Sequence, residues 1–166
     1  MKRTTTARIM LAGTAILIGC LIASEALAKS DKEFLSDAIK TDNAEIALGQ
    51  LAVQKGSTDD VRKYGQTLVT DHQKGKDAAV ALAPALQVKP MEALPPDAVK
   101  EQQKLQGLSG TDFDKEFAQF MIAGHKQAIS EFQEKAGEGD RPVPQLAKQT
   151  LPTLQEHLKM AEDLAH

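Results

Sequence analysis

An all-α bundle of four long helices is predicted by three observations. Apolar residues recur at i, i+3, i+4 and i+7 through four long segments, the stripe that a half-buried helix turns toward a core. Glycine and proline punctuate the chain where those segments end, at Gly56, at Pro84 and in the Gly-Glu-Gly-Asp-Arg-Pro turn before Val143. The connections run short, long, short. The two short ones make antiparallel hairpins. The long one, residues 84–111, stretches to ~90 Å, well past the ~37 Å of a helix of about 25 residues. Two hairpins joined by one long crossover carrying a short helix is the ferritin-like kind of four-helix bundle.

Residues 1–28 read as an export signal. Lys2, Arg3 and Arg8 form the positive start, Ile9 to Ala23 the apolar middle, and Ala26-Leu27-Ala28 the small-x-small cleavage pattern before Lys29. A rival reading is lipid attachment at Cys20, since Leu17-Ile18-Gly19-Cys20 resembles a lipobox. The apolar run continues through Leu21, Ile22 and Ala23, which favours cleavage after Ala28. The expected location is the periplasm, with residues 29–166 as one bundle domain.

The first long helix opens on a capping box, Ser30 with Glu33, and runs to about Lys55 through Phe34, Leu35, Ile39, Leu48 and Ala52. Gly56 stops it. Ser57 with Asp60 starts the second, whose face reads Val61, Tyr64, Leu68, His72, Ala79 and Leu82 before Pro84 closes it. Pro84, Pro90, Pro95 and Pro96 mark the crossover, interrupted by a short helix from Asp97 to Gly107. The third long helix spans about Thr111 to Ala136 through Phe113, Phe117, Phe120 and Met121. The fourth spans about Pro142 to Leu164, and Pro152 inside it is expected to bend it.

Bulk properties narrow the function. Without the leader, 138 residues remain, enough for one domain with a real core. The leader's net charge of +2 against the chain's −3 leaves about −5 for the rest, with no basic block. This argues against nucleic acid and anionic lipid as partners. Cys20 is the only cysteine and leaves with the leader, so stability has to come from packing rather than disulfides. No remaining apolar run approaches the ~18 residues of a membrane helix. No nucleophile constellation or phosphate loop stands out.

Four polar residues interrupt the apolar stripes, one per long helix: Glu45, His72, His125 and His157. At 1.5 Å per residue they fall near mid-bundle, within roughly one and a half turns of each other. Such groups are costly inside unless bonded to each other, to water or to a metal. Neutral imidazoles with a carboxylate suit zinc, copper or iron. Asp42, one turn from Glu45, is a reserve carboxylate, and Met121 and Met160 are reserve sulfur ligands beside His125 and His157. Asp71 and Glu156, next to their histidines, point off the stripe and are expected to be solvated. The Asp71-His72 and Glu156-His157 pairs, 85 positions apart, mark a faint repeat between the two hairpins. Gly49, Gly65, Gly75 and Gly124 lie within seven positions of one of the four polar residues. They leave room for close helix approach or for a guest molecule. Buried imidazoles should also make the core loosen on acidification toward pH ~5.

The stretches "NAEIALGQLA", "VRKYGQTLVTDH", "FAQFMIAGHKQAISEF" and "LPTLQEHLKMA" resemble an exported bacterial family of unknown function with a ferritin-like fold, often labelled predicted outer membrane proteins. The resemblance covers the chain after the leader. It implies a periplasmic helical bundle with Glu45, His72, His125 and His157 in the family's polar positions, and no established activity. The Glu-x-x-His pair of two-metal ferritin-like enzymes is missing, since Val69 and Leu154 stand three residues before His72 and His157. Iron storage and oxygen chemistry are thereby disfavoured. The leading expectation is a non-enzymatic periplasmic binding or stress-related bundle with a buried Glu/His centre, its partner a small ligand or metal ion. The alternative is a mononuclear transition-metal-binding protein, and an enzyme is the weakest of the three readings.

Overall fold

The architecture comes from a computed structural model that describes residues 29–165. The leader and Cys20 lie outside the described residues. Five helices follow one another: α1 (Asp31–Lys55), α2 (Asp59–Leu82), α3 (Pro96–Gly107), α4 (Gly110–Ala136) and α5 (Pro142–Leu164). There is no strand among the described residues.

Local chemistry sets the helix ends. The Ser30 hydroxyl accepts the Glu33 N–H at 3.3 Å, and the Glu33 carboxylate accepts the Ser30 N–H at 3.0 Å, so the expected capping box is present. α2 is capped by Thr58 rather than Ser57, with its hydroxyl accepting from Val61 N–H at 3.3 Å. Ser57 instead donates its N–H to Asp114 at 2.9 Å, tying the α1–α2 turn to the first turns of α4. A 3-10 turn, Ala83–Leu86, follows α2. Gln87 then reverses the chain in the left-handed region, at φ 53°. Pro96 opens α3 at a first-turn position that needs no N–H. α5 continues through Pro152 without interruption.

The chain runs along α1, back along α2, and then the full bundle length over the crossover before α4 and α5 repeat the hairpin. Ser57–Asp114 fixes the start of α4 beside the α1–α2 turn. Lys135, in the last turn of α4, contacts Asp31 in the first turn of α1. α4 is therefore antiparallel to α1. This is the expected ferritin-like bundle of two hairpins with a long crossover. The hairpins meet mainly through α2 and α5, whereas α1 and α4 touch sparingly and leave a seam. α3 lies at that seam's upper end, where Lys55 donates to the Leu105 and Gln106 carbonyls at 3.3 and 2.6 Å.

Glycine sets the closest helix contact. A Cβ on Gly49 would stand 2.8 Å from the Gly65 carbonyl oxygen, and one on Gly65 would stand 2.7 Å from that of Gly49. α1 and α2 thus touch backbone to backbone just above mid-length.

Apolar packing is split into an upper and a lower part. Leu48, Ala52, Tyr64, Leu68, Phe117 and Met121 belong to a large cluster toward the α1–α2 turn. Two smaller clusters, around Leu35, Ile39 and Ala79 and around Phe34, Val143 and Ala147, fill the other end. Also at that lower end, the buried Lys135 ammonium donates to the Lys29 carbonyl at 2.5 Å and pairs with Asp31 and Glu138. Arg141 reaches both of the same acids. Between the two apolar regions, at mid-length, lies the polar layer.

Candidate metal centre

Each long helix delivers one of the four predicted residues to that layer because its apolar neighbours one turn away face the same interior. All four are buried: Glu45 is 7% exposed, His72 5%, His125 1% and His157 1%. The imidazoles gather tightly, with ring centroids 5.9 Å apart for His72–His125, 5.2 Å for His72–His157 and 5.4 Å for His125–His157. One ring nitrogen from each can be chosen so that all three lie within 4.8 Å of one another. Three nitrogens around a single tetrahedral ion sit about 3.3 Å apart at a bond length of about 2.05 Å. Modest rotations of the three rings would close that difference.

Each ring is held by one nitrogen and left open at the other. His72 Nδ1 lies 2.9 Å from Asp42 Oδ1. His125 Nδ1 donates to the Met121 carbonyl at 2.9 Å, which places its proton on Nδ1. His157 Nε2 lies 3.3 Å from Asp71 Oδ2. The opposite nitrogens, His72 Nε2, His125 Nε2 and His157 Nδ1, are buried with no hydrogen-bond partner among the described residues, as is Glu45 Oε2. An oxygen partner behind each ring and an unpartnered nitrogen in front is the arrangement that orients metal-bound histidine.

Two expectations change here. Asp71 is no solvated bystander, since its carboxylate reaches across to His157 on α5. Its carboxyl feels partial burial, which opposes ionisation, but Lys74 and His157 hold it below the usual carboxylate range. Asp42, expected as a reserve ligand, stands behind His72 instead. Gly75 makes room for it, since a Cβ there would come within 3.3 Å of Asp42 Oδ1. Glu156 is exposed, as expected. Met121 and Met160 lie in or against the upper apolar cluster, and the part Met121 plays at the centre is through its backbone carbonyl.

Tyr64 is a participant that the sequence reading placed only in the core. Its ring is edge-on to His157 at 6.4 Å, and its buried hydroxyl has no partner among the described residues. Burial and the charge of Glu45 raise its phenol above the ordinary value. The hydroxyl gives the centre a potential donor that tertiary packing, not periodicity, supplies.

Electrostatics keep His72 and His157 neutral and ready to ligate. Burial, reinforced by His72 and His125, lowers His157 to about 4, with Asp71 opposing. Burial also lowers His72, against the opposing charge of Glu45. Burial pushes the Asp42 carboxyl up to about 8, with Lys76 opposing. Since Asp42 and His72 share a hydrogen bond, the pair holds one proton between them near neutrality.

Two spaces adjoin the centre. A cavity of about 30 Å³, lined by Asp42, Glu45, His72 and His125 among others, runs along the bundle axis below the rings. It has room for about one water or one ion. A wider groove of about 360 Å³ opens between α1, α4 and the residues around the start of α3. Glu45 lines both.

Comparison with known proteins places the chain as follows. The family model described as Domain of unknown function (DUF4142) matches residues 22–164. In fold the chain is similar to the crystal structure of a DUF305 fragment from Deinococcus radiodurans. The TM-score is 0.69 at 16% identity, over 83% of this chain and 97% of that one. At that identity the likeness is one of fold alone. No curated protein matches the chain.

Proposed function

The chain belongs to the DUF4142 family, and from that premise we propose that it is a periplasmic protein that binds one transition-metal ion among His72, His125 and His157. The observation that carries this reading is the set of three imidazoles anchored from behind and unpaired in front. A self-sufficient polar network would satisfy its own members, whereas here three gathered imidazoles each keep one ring nitrogen without a partner, and Glu45 Oε2 is unpartnered as well. Leaving a buried polar atom unpaired costs about 1–3 kcal/mol each, and an ion would satisfy several at once.

Three neutral imidazoles suit zinc first, with copper, iron and nickel also compatible. Glu45 Oε2 or an outside molecule would complete the coordination. The absence of a sulfur donor from the anchored set favours zinc over cuprous copper. The competing reading is a metal-free centre in which water fills the cavity of about 30 Å³ and bridges the rings.

Metal analysis of untagged protein prepared from the periplasmic fraction separates the two. One equivalent of metal, lost together in His72→Ala and His157→Ala, is the expected result. A wild-type protein that is metal-free as isolated and takes up no Zn²⁺ or Co²⁺ on titration refutes the metal reading and leaves the water-filled centre. Recovery of the protein only in the cytoplasm would refute export.

A further inference from the structure

Glu45 belongs to two spaces at once. It lines the small cavity beside His72 and His125 and also the groove of about 360 Å³. The residue is only 7% exposed, and its Oε2 has no hydrogen-bond partner among the described residues. A buried centre needs a path by which an ion can reach it. The upper apolar cluster closes one direction, and the α2–α5 contact closes the far side. Among neighbouring long helices, the loosest packing is the seam between α1 and α4. Gly124 keeps that seam open, since a Cβ there would meet only Glu45 Oε1, at 4.0 Å.

Charge along the groove favours a cation. Asp37, Asp97 and Glu131 line it together with Glu45, against Lys29 and Lys40. Lys29 is itself neutralised by Asp37 at 3.2 Å and Glu131 at 3.0 Å, and Lys40 lies 3.5 Å from Asp37. A narrow space with an acidic excess raises the local concentration of positive ions.

We propose, resting on the metal reading above, that this groove is the route of a divalent cation to the three histidines. Glu45 is the loading carboxylate at its inner end, which takes the ion from water before the imidazoles receive it. A path residue and a ligand differ in what they change. Narrowing the path slows capture and release together and leaves Kd, their ratio, in place. Losing a ligand weakens Kd.

Stopped-flow loading with Co²⁺, whose visible absorption reports the nitrogen-bound ion, tests the route. Gly124→Val and Ala128→Leu both place new atoms in the passage at positions that supply no ligand, and Ala128 lines both spaces. Both variants are expected to capture and release Co²⁺ about tenfold more slowly at unchanged Kd. Glu45→Gln is expected to slow capture as well. If both plugged variants fold, by far-ultraviolet circular dichroism, and load at the wild-type rate, the route is overturned while the metal reading stands. A wild type that takes up no Co²⁺ removes the metal reading and the route with it. Should one plugged variant fail to fold, the other decides.

Discussion

Asp42→Asn separates what this carboxylate does for the empty bundle from what it does for a bound ion. Burial pushes Asp42 up to about 8 from its usual 3.8, so at pH ~8.5 a charge sits in a place that disfavours it. At about 1.4 kcal/mol per unit, the penalty has an upper bound of about 6 kcal/mol. The charge-assisted bond from His72 offsets about 1.5–3 kcal/mol of it, and an amide oxygen preserves the geometry of that bond without the charge. The metal-free variant should therefore be more stable than wild type by roughly 3 kcal/mol at pH ~8.5, or a Tm higher by about 10 °C for a domain of this size. Bound metal works against this gain and removes most of it. Replacing the acceptor behind His72 should weaken binding 10- to 100-fold, about 1.4–2.7 kcal/mol. Thermal melts followed by circular dichroism, with chelator and with Zn²⁺, give both quantities once Kd is measured by competition. A chelated Asp42→Asn that melts at or below wild type, or one with unchanged Zn²⁺ affinity, would refute the role assigned to Asp42.

Three further outcomes follow from the geometry. Asp71→Ala removes the anchor behind His157 from a half-exposed position, so metal affinity should fall about tenfold while the chelated melting temperature barely moves. In the metal-free protein, His157 is lowered to about 4, so the unfolded chain binds the extra proton. Stability should be complete above pH ~6.5 as far as His157 is concerned, and fall by about 3 kcal/mol as the pH drops toward ~4. Asp42 and His72 hold one proton between them in both states across that window and add no slope. Above it the folded pair keeps its proton longer than the unfolded chain, so stability declines again toward pH ~8. A chelated protein equally stable at pH ~4.5 and ~6.5 contradicts this. Gly65→Ala drives a methyl group to 2.7 Å from the Gly49 carbonyl oxygen. Chemical denaturation should register a loss of about 1–3 kcal/mol, and a neutral result would mean that the two helices part easily.

Much of the bundle was legible because its punctuation is local. Ser30 with Glu33, Gly56 and Pro84 act within a few residues of themselves, so the helix ends fell within a residue or two of expectation. The convergence of Glu45, His72, His125 and His157 was legible for a related reason. Each shares a stripe with apolar residues, and every stripe must face the one interior. What escaped was anything that depends on a neighbouring helix. Asp71 lies about 100° around α2 from His72, which from one helix alone looks like the solvent side. That direction is where α5 packs, and it brings Asp71 to His157. Asp42 looked like a ligand because a carboxylate beside a histidine is ambiguous until their relative heights are fixed. Gly75 settles the matter by opening a niche behind the ring. Tyr64 reads as an ordinary core aromatic, and only the packing of α2 on α5 shows its ring edge-on to His157. The groove is a property of how little α1 and α4 touch, which no single stripe encodes.

The knot of Lys135, Arg141 and Asp31 also fixes an orientation. By gripping the Lys29 backbone, it holds the first described residue at the lower pole, opposite the α1–α2 turn. Lys29 also borders the groove. The pole that these ion pairs close is thus also where the wall of the groove begins, so one residue belongs to both.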